Sequence, residues 1–161
     1  MHLEWMDYRR EDGPVVDSWL DSGAVAMTGL DQGWDAYWQA VLLDAENFPG
    51  CKDYCKVIRE NGVPIAAVCF GWYEGVTTVS EILVAPQRRG QGVGTQILRE
   101  LLSLTDGLTG ETTEKFCAVV FSNNLSSQRV FEKAGFVFDY AQEGSWNYIY
   151  TDRKESRKAA E

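Results

Sequence analysis

Glu81-Ile82-Leu83-Val84-Ala85-Pro86-Gln87-Arg88-Arg89-Gly90-Gln91-Gly92-Val93-Gly94-Thr95 carries an apolar strand through a glycine-rich loop into the start of a helix. Pro86 cannot donate a ladder hydrogen bond, so the strand ends before it. Three glycines in the five residues from Gly90 to Gly94 need a physical reason. Without Cβ atoms, the backbone can approach a ligand closely and turn its N–H groups inward. A helix N-terminus adds about half a positive charge at the same spot. The product is an anion site made of main-chain donors. A chain of net charge −9 can therefore still hold a polyphosphate, with Arg88 and Arg89 expected to add local positive charge.

The register of the glycines argues against two other phosphate loops. A P-loop needs Gly-x-x-x-x-Gly-Lys-Ser/Thr, and neither the Lys nor the hydroxyl is in place after Gly94. A dinucleotide fingerprint needs Gly-x-Gly-x-x-Gly. Here Gly94 comes one position too early, and Thr95 stands where the third glycine belongs.

A second block lies downstream: Asn124-Leu125-Ser126-Ser127-Gln128-Arg129-Val130-Phe131-Glu132-Lys133-Ala134-Gly135-Phe136. The first block, Val84-Ala85-Pro86 followed by Arg89-Gly90-Gln91-Gly92-Val93-Gly94, resembles the Arg/Gln-x-x-Gly-x-Gly/Ala pattern of the GNAT superfamily of N-acetyltransferases. The second resembles that family's Asn-x-x-Ala/Ser-x-x-x-Tyr-x-Lys-x-Gly-Phe. Together they cover a modest part of the chain, and their pairing at this distance is specific.

The resemblance implies a mixed α/β fold: a mostly antiparallel sheet of six to seven strands, splayed at a parallel pair, with about four helices on its two faces. It implies acetyl-CoA as co-substrate and no metal. The N–H groups of Arg89, Gly90, Gln91, Gly92, Val93, Gly94 and Thr95 would hold the coenzyme diphosphate. Main-chain groups of Ile82, Leu83 and Val84 would pair with the pantetheine arm, with Asn124 and Ser127 across the cleft and Phe131 against the coenzyme. Asn124 reads equally as a helix N-cap, which is compatible with that contact.

The implied reaction is direct attack of an amine on the thioester. An alkylamine with a pKa of about 10.4 must first lose a proton, at a cost of roughly 4 to 5 kcal/mol at pH 7. A base is useful, and the resemblance points to Glu81; the alternative is a half-exposed strand carboxylate. Relatives often carry a Tyr acid where this chain has Phe131, which has no proton to give. Tyr140, Ser127 or water remain as donors, and an acyl-CoA-binding sensor with little turnover is the competing reading.

Composition sets the frame. The 161 residues, 45% hydrophobic, suit one core, read as a single domain over 1–152 with a charged tail at 153–161. The apolar run from Val63 to Tyr73 is too short to span a bilayer, and the N-terminus lacks a signal-peptide layout, so the expected location is cytoplasmic. The acidic balance disfavours nucleic acid and anionic membranes. It fits a cationic amine acceptor, small molecule or peptide, near Asp31, Asp35, Asp139 and Glu143, with Trp72, Tyr73 and Trp146 as walls. Specificity is expected in the segments 22–33 and 141–145. Homodimers are frequent in the family, though nothing in this sequence shows one.

Cys51, Cys55, Cys69 and Cys117 read as reduced thiols. The single histidine, His2, sits at the terminus, which argues against His-dependent nucleophilic chemistry.

Periodicity supplies the remaining elements. Strands are expected over 3–8, 54–59, 63–73, 77–84, 116–121, 136–140 and 146–151, with a hairpin turn at Asn61-Gly62. Helices are expected over 13–21, with Val15, Val16, Trp19 and Leu20 inward, and over 33–47, with Trp34, Tyr37, Trp38, Val41, Leu42 and Ala45 buried. Two more are expected over 92–104 and 124–134, and a looser stretch follows the first helix.

Overall fold

Asn61 and Gly62 take φ values of 51° and 76°, the left-handed pair that a two-residue hairpin turn requires. They fold β2 (Lys52–Glu60) onto β3 (Val63–Tyr73). Glu74 and Gly75 repeat the device with φ of 47° and 82°, turning β3 into β4 (Val76–Val84). In this computed structural model, which describes residues 1–150, β1 (Glu4–Asp7), β5 (Lys115–Phe121), β6 (Val137–Gln142) and β7 (Ser145–Tyr150) complete one sheet in the order β1-β2-β3-β4-β5-β7-β6. Only β4 and β5 run parallel. The expected mixed fold is present, with seven strands among the described residues.

Two cores sit on opposite faces. On one face, α4 (Val93–Thr109) and α5 (Leu125–Lys133) bury Ile97, Leu98, Leu101 and Phe131 against Val68, Phe70, Phe116 and Tyr148. On the other, α1 (Gly13–Asp17) and α3 (Trp34–Ala45) bring Val16 and Trp34 onto Cys55, Val57, Ala67, Cys69 and Leu83. No described helix is long and apolar enough to cross a membrane.

The helices depart from expectation in four places. The stretch read as loose forms α2 (Ser22–Thr28): Asp21 caps it by accepting from Ala24 N at 2.8 Å, and Gly29, at φ 74°, ends it. Cap chemistry made a helix where apolar spacing was weak, and five α-helices stand among the described residues instead of about four. The first helix stops at Asp17, and Val15 faces solvent. α4 runs on to Thr109, its end set by Gly110 at φ 74° in the left-handed cap, and the Thr105 and Thr109 hydroxyls donate back to the carbonyls of Leu101 and Thr105. In α3 Trp34 is fully buried while Leu42 is exposed, because the sheet underlies the first turns of the helix more than its end. The 153–161 tail and Thr151 lie outside the described residues.

Candidate functional site

The parallel ladder holds only from Val76↔Lys115 to Val79↔Ala118. Beyond it, 80–84 of β4 and 119–121 of β5 have no partner in each other, and a wedge opens between them. Its cause is local. Cys69 pairs with Glu81 but Phe70 pairs with Val79, so Ser80 is an extra residue, a β-bulge, and its hydroxyl donates to Cys69 O at 3.1 Å. Bulges bend a strand and re-aim its side chains. Here Val79 lies in the core under α4 and α5, whereas Leu83 lies in the core under α1 and α3. The bulge thus transfers Glu81, together with Leu83, to the α3 face.

At the mouth of the wedge lies a cleft of about 630 Å³. Ile82, Leu83, Val84, Arg89, Gly90, Gly92, Val93, Gly94, Thr95, Asn124, Ser127 and Phe131 all line it. Gln91 does not: its side chain turns back to donate to Gln87 O and accept from Arg88 Nε. The glycines have distinct reasons. Gly90 and Gly92 have φ of 74° and 81°, and a Cβ on either would meet open space. Gly94 has Val130 of α5 at 3.3 Å from where its Cβ would stand. The α4 ladder begins with Gln96 N donating to Gly92 O at 3.0 Å. The N–H groups from Gly90 to Thr95 are therefore left without backbone acceptors among the described residues, and no side chain caps the helix. That is the arrangement an anion needs.

The two arginines act differently from expectation. Arg88 is paired with Glu60 at 2.8 Å. Arg89 donates to Asp21 Oδ2 at 2.8 Å, to Trp19 O at 2.8 Å and to Val84 O at 3.0 Å. Their charges are largely spent on carboxylates, so the positive character of the loop rests on main-chain N–H groups. Arg89 also takes one acceptor of the free β4 edge.

Glu81 sits at the inner end of the wedge in a recess of about 50 Å³, with Met27 and Thr28 of α2, Ser80, Val119 and Phe121. Burial pushes its carboxyl up from about 4.5 to about 8, and among the described residues it takes no hydrogen bond. Tyr37 of α3 is its neighbour: burial raises that hydroxyl well above its ordinary value, the Ser80 hydroxyl opposes this, and the charges of Cys69 and Glu81 add to it. Sequence reasoning placed Tyr37 in a core stripe and overlooked Ser80, Met27 and Thr28. No residue of the strand marks the bulge in the sequence itself.

Across the cleft, Asn124 Oδ1 accepts from Ser127 N at 3.1 Å, the N-cap geometry, and Nδ2 donates to Met27 O at 3.4 Å. Asn124 and Ser127 line both cavities, as does Phe131. Phe131 is 5% exposed. Its ring stacks on Tyr148 and meets Phe136 edge-on, so most of it belongs to the core. Ser122 N donates to Gly144 O at 3.0 Å, drawing the β6–β7 turn against the end of β5.

Several expected residues stand elsewhere. Trp72 and Tyr73 lie at the β3–β4 hairpin, where the ladder is still closed. Trp146 pairs with Val120 on the face opposite Glu81. Asp35 accepts from Tyr8 at 2.8 Å and lies 3.9 Å from Arg10, so its charge serves the fold. Tyr140 is half exposed on β6, separated from β5 by β7. Among the described residues no group of three or more His, Cys, Asp or Glu side chains is disposed to hold a metal.

The sequence profile of the acetyltransferase (GNAT) family matches residues 4–136, most of the chain and both blocks up to Phe136. This chain belongs to the GNAT family of acetyltransferases. A curated relative in the family, the uncharacterized N-acetyltransferase YobR of Bacillus subtilis (strain 168), is 30% identical over 92 residues, 56% of this chain and 35% of that protein. The chain thus aligns with about a third of that relative's length. Solved structures share the GNAT fold: aminoglycoside acetyltransferase AAC(6')-Ib in complex with coenzyme A and kanamycin has a TM-score of 0.74 at 21% identity, covering 98% of this chain and 99% of that one. An acetyltransferase of Thermus thermophilus gives 0.72 at 18% identity, over 93% and 97%. A chimera of the Vibrio cholerae spermidine N-acetyltransferase SpeG gives 0.68 at 13% identity, over 94% and 96%.

Proposed function

We propose that this GNAT-family chain is a single-domain, cytoplasmic N-acetyltransferase that moves an acetyl group from acetyl-CoA to a primary amine. The observation that carries the reading is the join of two features: uncapped N–H groups at the head of α4, and a wedge leading from them to the Glu81 carboxyl. The diphosphate sits on the loop from Arg89 to Thr95. The pantetheine arm lies along the free edge of β4 at Ile82 and Leu83, and its thioester reaches the recess at the vertex. Coenzyme A and amine ligands in fold neighbours, an aminoglycoside among them, support the same assignment.

Glu81 is the base. At about 8 its pKa stands closer to that of an alkylammonium, about 10.4, than an ordinary carboxylate does, which makes proton removal less uphill. The freed amine nitrogen attacks the thioester carbonyl, the carbon–sulfur bond breaks, and the proton that the nitrogen sheds as it becomes an amide ends on the departing sulfur, which leaves as the thiol. Phe131 supplies no proton. Ser127 lines both cavities, which supports its hydroxyl over that of Tyr140 as a hydrogen-bond donor to the departing sulfur.

The missing acid at Phe131 supports a second reading, a sensor that binds acyl-CoA without turnover. Thiol release from acetyl-CoA in the presence of polyamines, aminoglycosides, lysyl peptides and neutral amines decides between them. Amine-dependent release is expected. Tight acetyl-CoA binding with no release across that panel would establish the sensor.

A further inference from the structure

The two faces of the sheet are covered unevenly. On the α3 side, the buried core takes its strand residues from β2, β3 and β4 and none from β5, β7 or β6. There those three strands present Val119, Asn147 and Tyr140 as one rung and Cys117, Ile149 and Val137 as the next. The extra residue at Asp139 in β6 brings Tyr140 onto the same face as Val137. Val119 and Tyr140 are each 51% exposed, and Val137 is 63% exposed.

Charge sets this face apart. Charged residues make up 24% of the chain, and a solvated face ordinarily carries its share of them; these two rungs carry none. Lys115 and Asp139, opposite in sign, act on Cys117 from the rim. An open apolar face of this kind marks a surface that meets something. Its inner end says what. Val119 and the half-exposed Phe121 also line the Glu81 recess, opposite Met27 of α2, and neither lines the coenzyme cleft. The recess thus has two approaches, one shared with the coenzyme and one over β5. Among the described residues that line it, Glu81 is the only acidic or basic one.

We propose that the acceptor is a primary amine on an extended apolar or aromatic group, its nitrogen in the recess and its body laid across β5 and β7 toward β6. The inference rests on the proposed acetyl transfer and deepens it by naming the substrate class. A recess of about 50 Å³ holds little more than the nitrogen and its first carbon, so the rest of the acceptor lies outside. At the ordinary strand spacing, a body of roughly 5 to 10 Å reaches β7 and then β6. Methylenes laid there leave water. A second ammonium laid there gives up hydration against uncharged side chains. This class differs from the polycations that the acidic composition suggests.

The test compares hexylamine with 1,6-diaminohexane, which share a chain and differ at its far end, with ethylamine as the short reference. The readout is kcat/KM from thiol release at saturating acetyl-CoA. Hexylamine should exceed the diamine at least about tenfold, and exceed ethylamine by about twofold per added methylene, roughly half the effect of full burial. Val119→Glu should narrow or reverse the preference for hexylamine over the diamine. Tyr140→Glu, two strands from the recess, should do the same without placing a charge beside Glu81. Both positions are exposed, so folding should survive, which thermal melts check, and calorimetric affinity for acetyl-CoA should hold in both. A diamine turned over as well as hexylamine overturns the inference, as does a preference undiminished in both variants. So does a dimer, seen by sedimentation, that Tyr140→Glu breaks, since a second copy would then cover the face. Absence of release with every amine, polyamines and aminoglycosides included, overturns the acetyl-transfer reading itself.

Discussion

Asp21 and Arg89, 68 residues apart in sequence, hold one wall of the cleft together: Arg89 Nη1 donates to Asp21 Oδ2 at 2.8 Å, while Asp21 Oδ1 caps α2 through Ala24 N at 2.8 Å. The Ala24 N–H first, and Arg89 second, hold the Asp21 carboxyl below its ordinary pKa. One carboxylate thereby ties the start of α2 to the glycine loop. Asp21→Ala removes both contacts and should raise KM for acetyl-CoA severalfold with a smaller change in kcat. Asn is as good an N-cap as Asp, so Asp21→Asn should keep the helix and lose only the charge. An Asn variant as impaired as the Ala variant would place the whole effect in the ion pair.

The pH profile should report Glu81. As a base whose carboxyl is pushed up to about 8, it is mostly protonated at pH 7, so kcat/KM should rise with pH and level off above about 8. Glu81→Gln should lower the rate by about 10² to 10⁴ and move the remaining rise upward, toward the pKa of the amine. A variant with an unaltered profile would remove Glu81 from the chemistry.

The same carboxyl should make stability fall with rising pH. Its folded pKa lies above the ordinary 4.5, so its contribution is complete below about 4.5 and is lost as pH climbs through about 8. The ceiling for that loss is about 5 kcal/mol, from roughly 1.4 kcal/mol per pH unit of difference. Glu81→Gln cannot ionise. In urea melts of the unliganded protein it should match the wild type near pH 4.5 and exceed it by about 1 to 3 kcal/mol at pH 8. Equal stabilities at pH 8 would show that the carboxylate is better solvated than its position implies.

Gly92 serves both backbone and ligand. With φ at 81° and open space where a Cβ would project, an Arg there strains the turn by about 1 to 2 kcal/mol and puts a long side chain over the uncapped N–H groups. Gly92→Arg should lower Tm by a few degrees and weaken acetyl-CoA binding at least about tenfold. Unchanged affinity by calorimetry would count against the loop as the diphosphate seat.

The glycine block and the strands were readable because each has a local physical cause: positive φ, a proline stop, an alternating or continuous apolar run. β3 was expected over Val63 to Tyr73 and is found there. α2 was missed because its cause is a cap formed by Asp21, without a strong apolar stripe. The walls at Trp72, Tyr73 and Trp146 were misplaced because which face a residue takes, and where a ladder opens, depend on register between distant strands. The single extra residue at Ser80 has no sequence mark of its own, yet it decides which way Glu81 points. Arg88 and Arg89 were read as free charge because Glu60 and Asp21 become their neighbours only on folding.

Four residue pairs join β4 to β5, against nine between β2 and β3. In its backbone bonding the sheet is two plates sharing a short hinge line, and whatever lodges in the gap beyond that line touches both. An occupant there acts as a tie-beam. Filling the gap should slow amide exchange across the hinge, at the ends of β4 and β5, as well as at the loop itself. A molecule built this way registers the presence of its guest as stiffness, before any bond is broken.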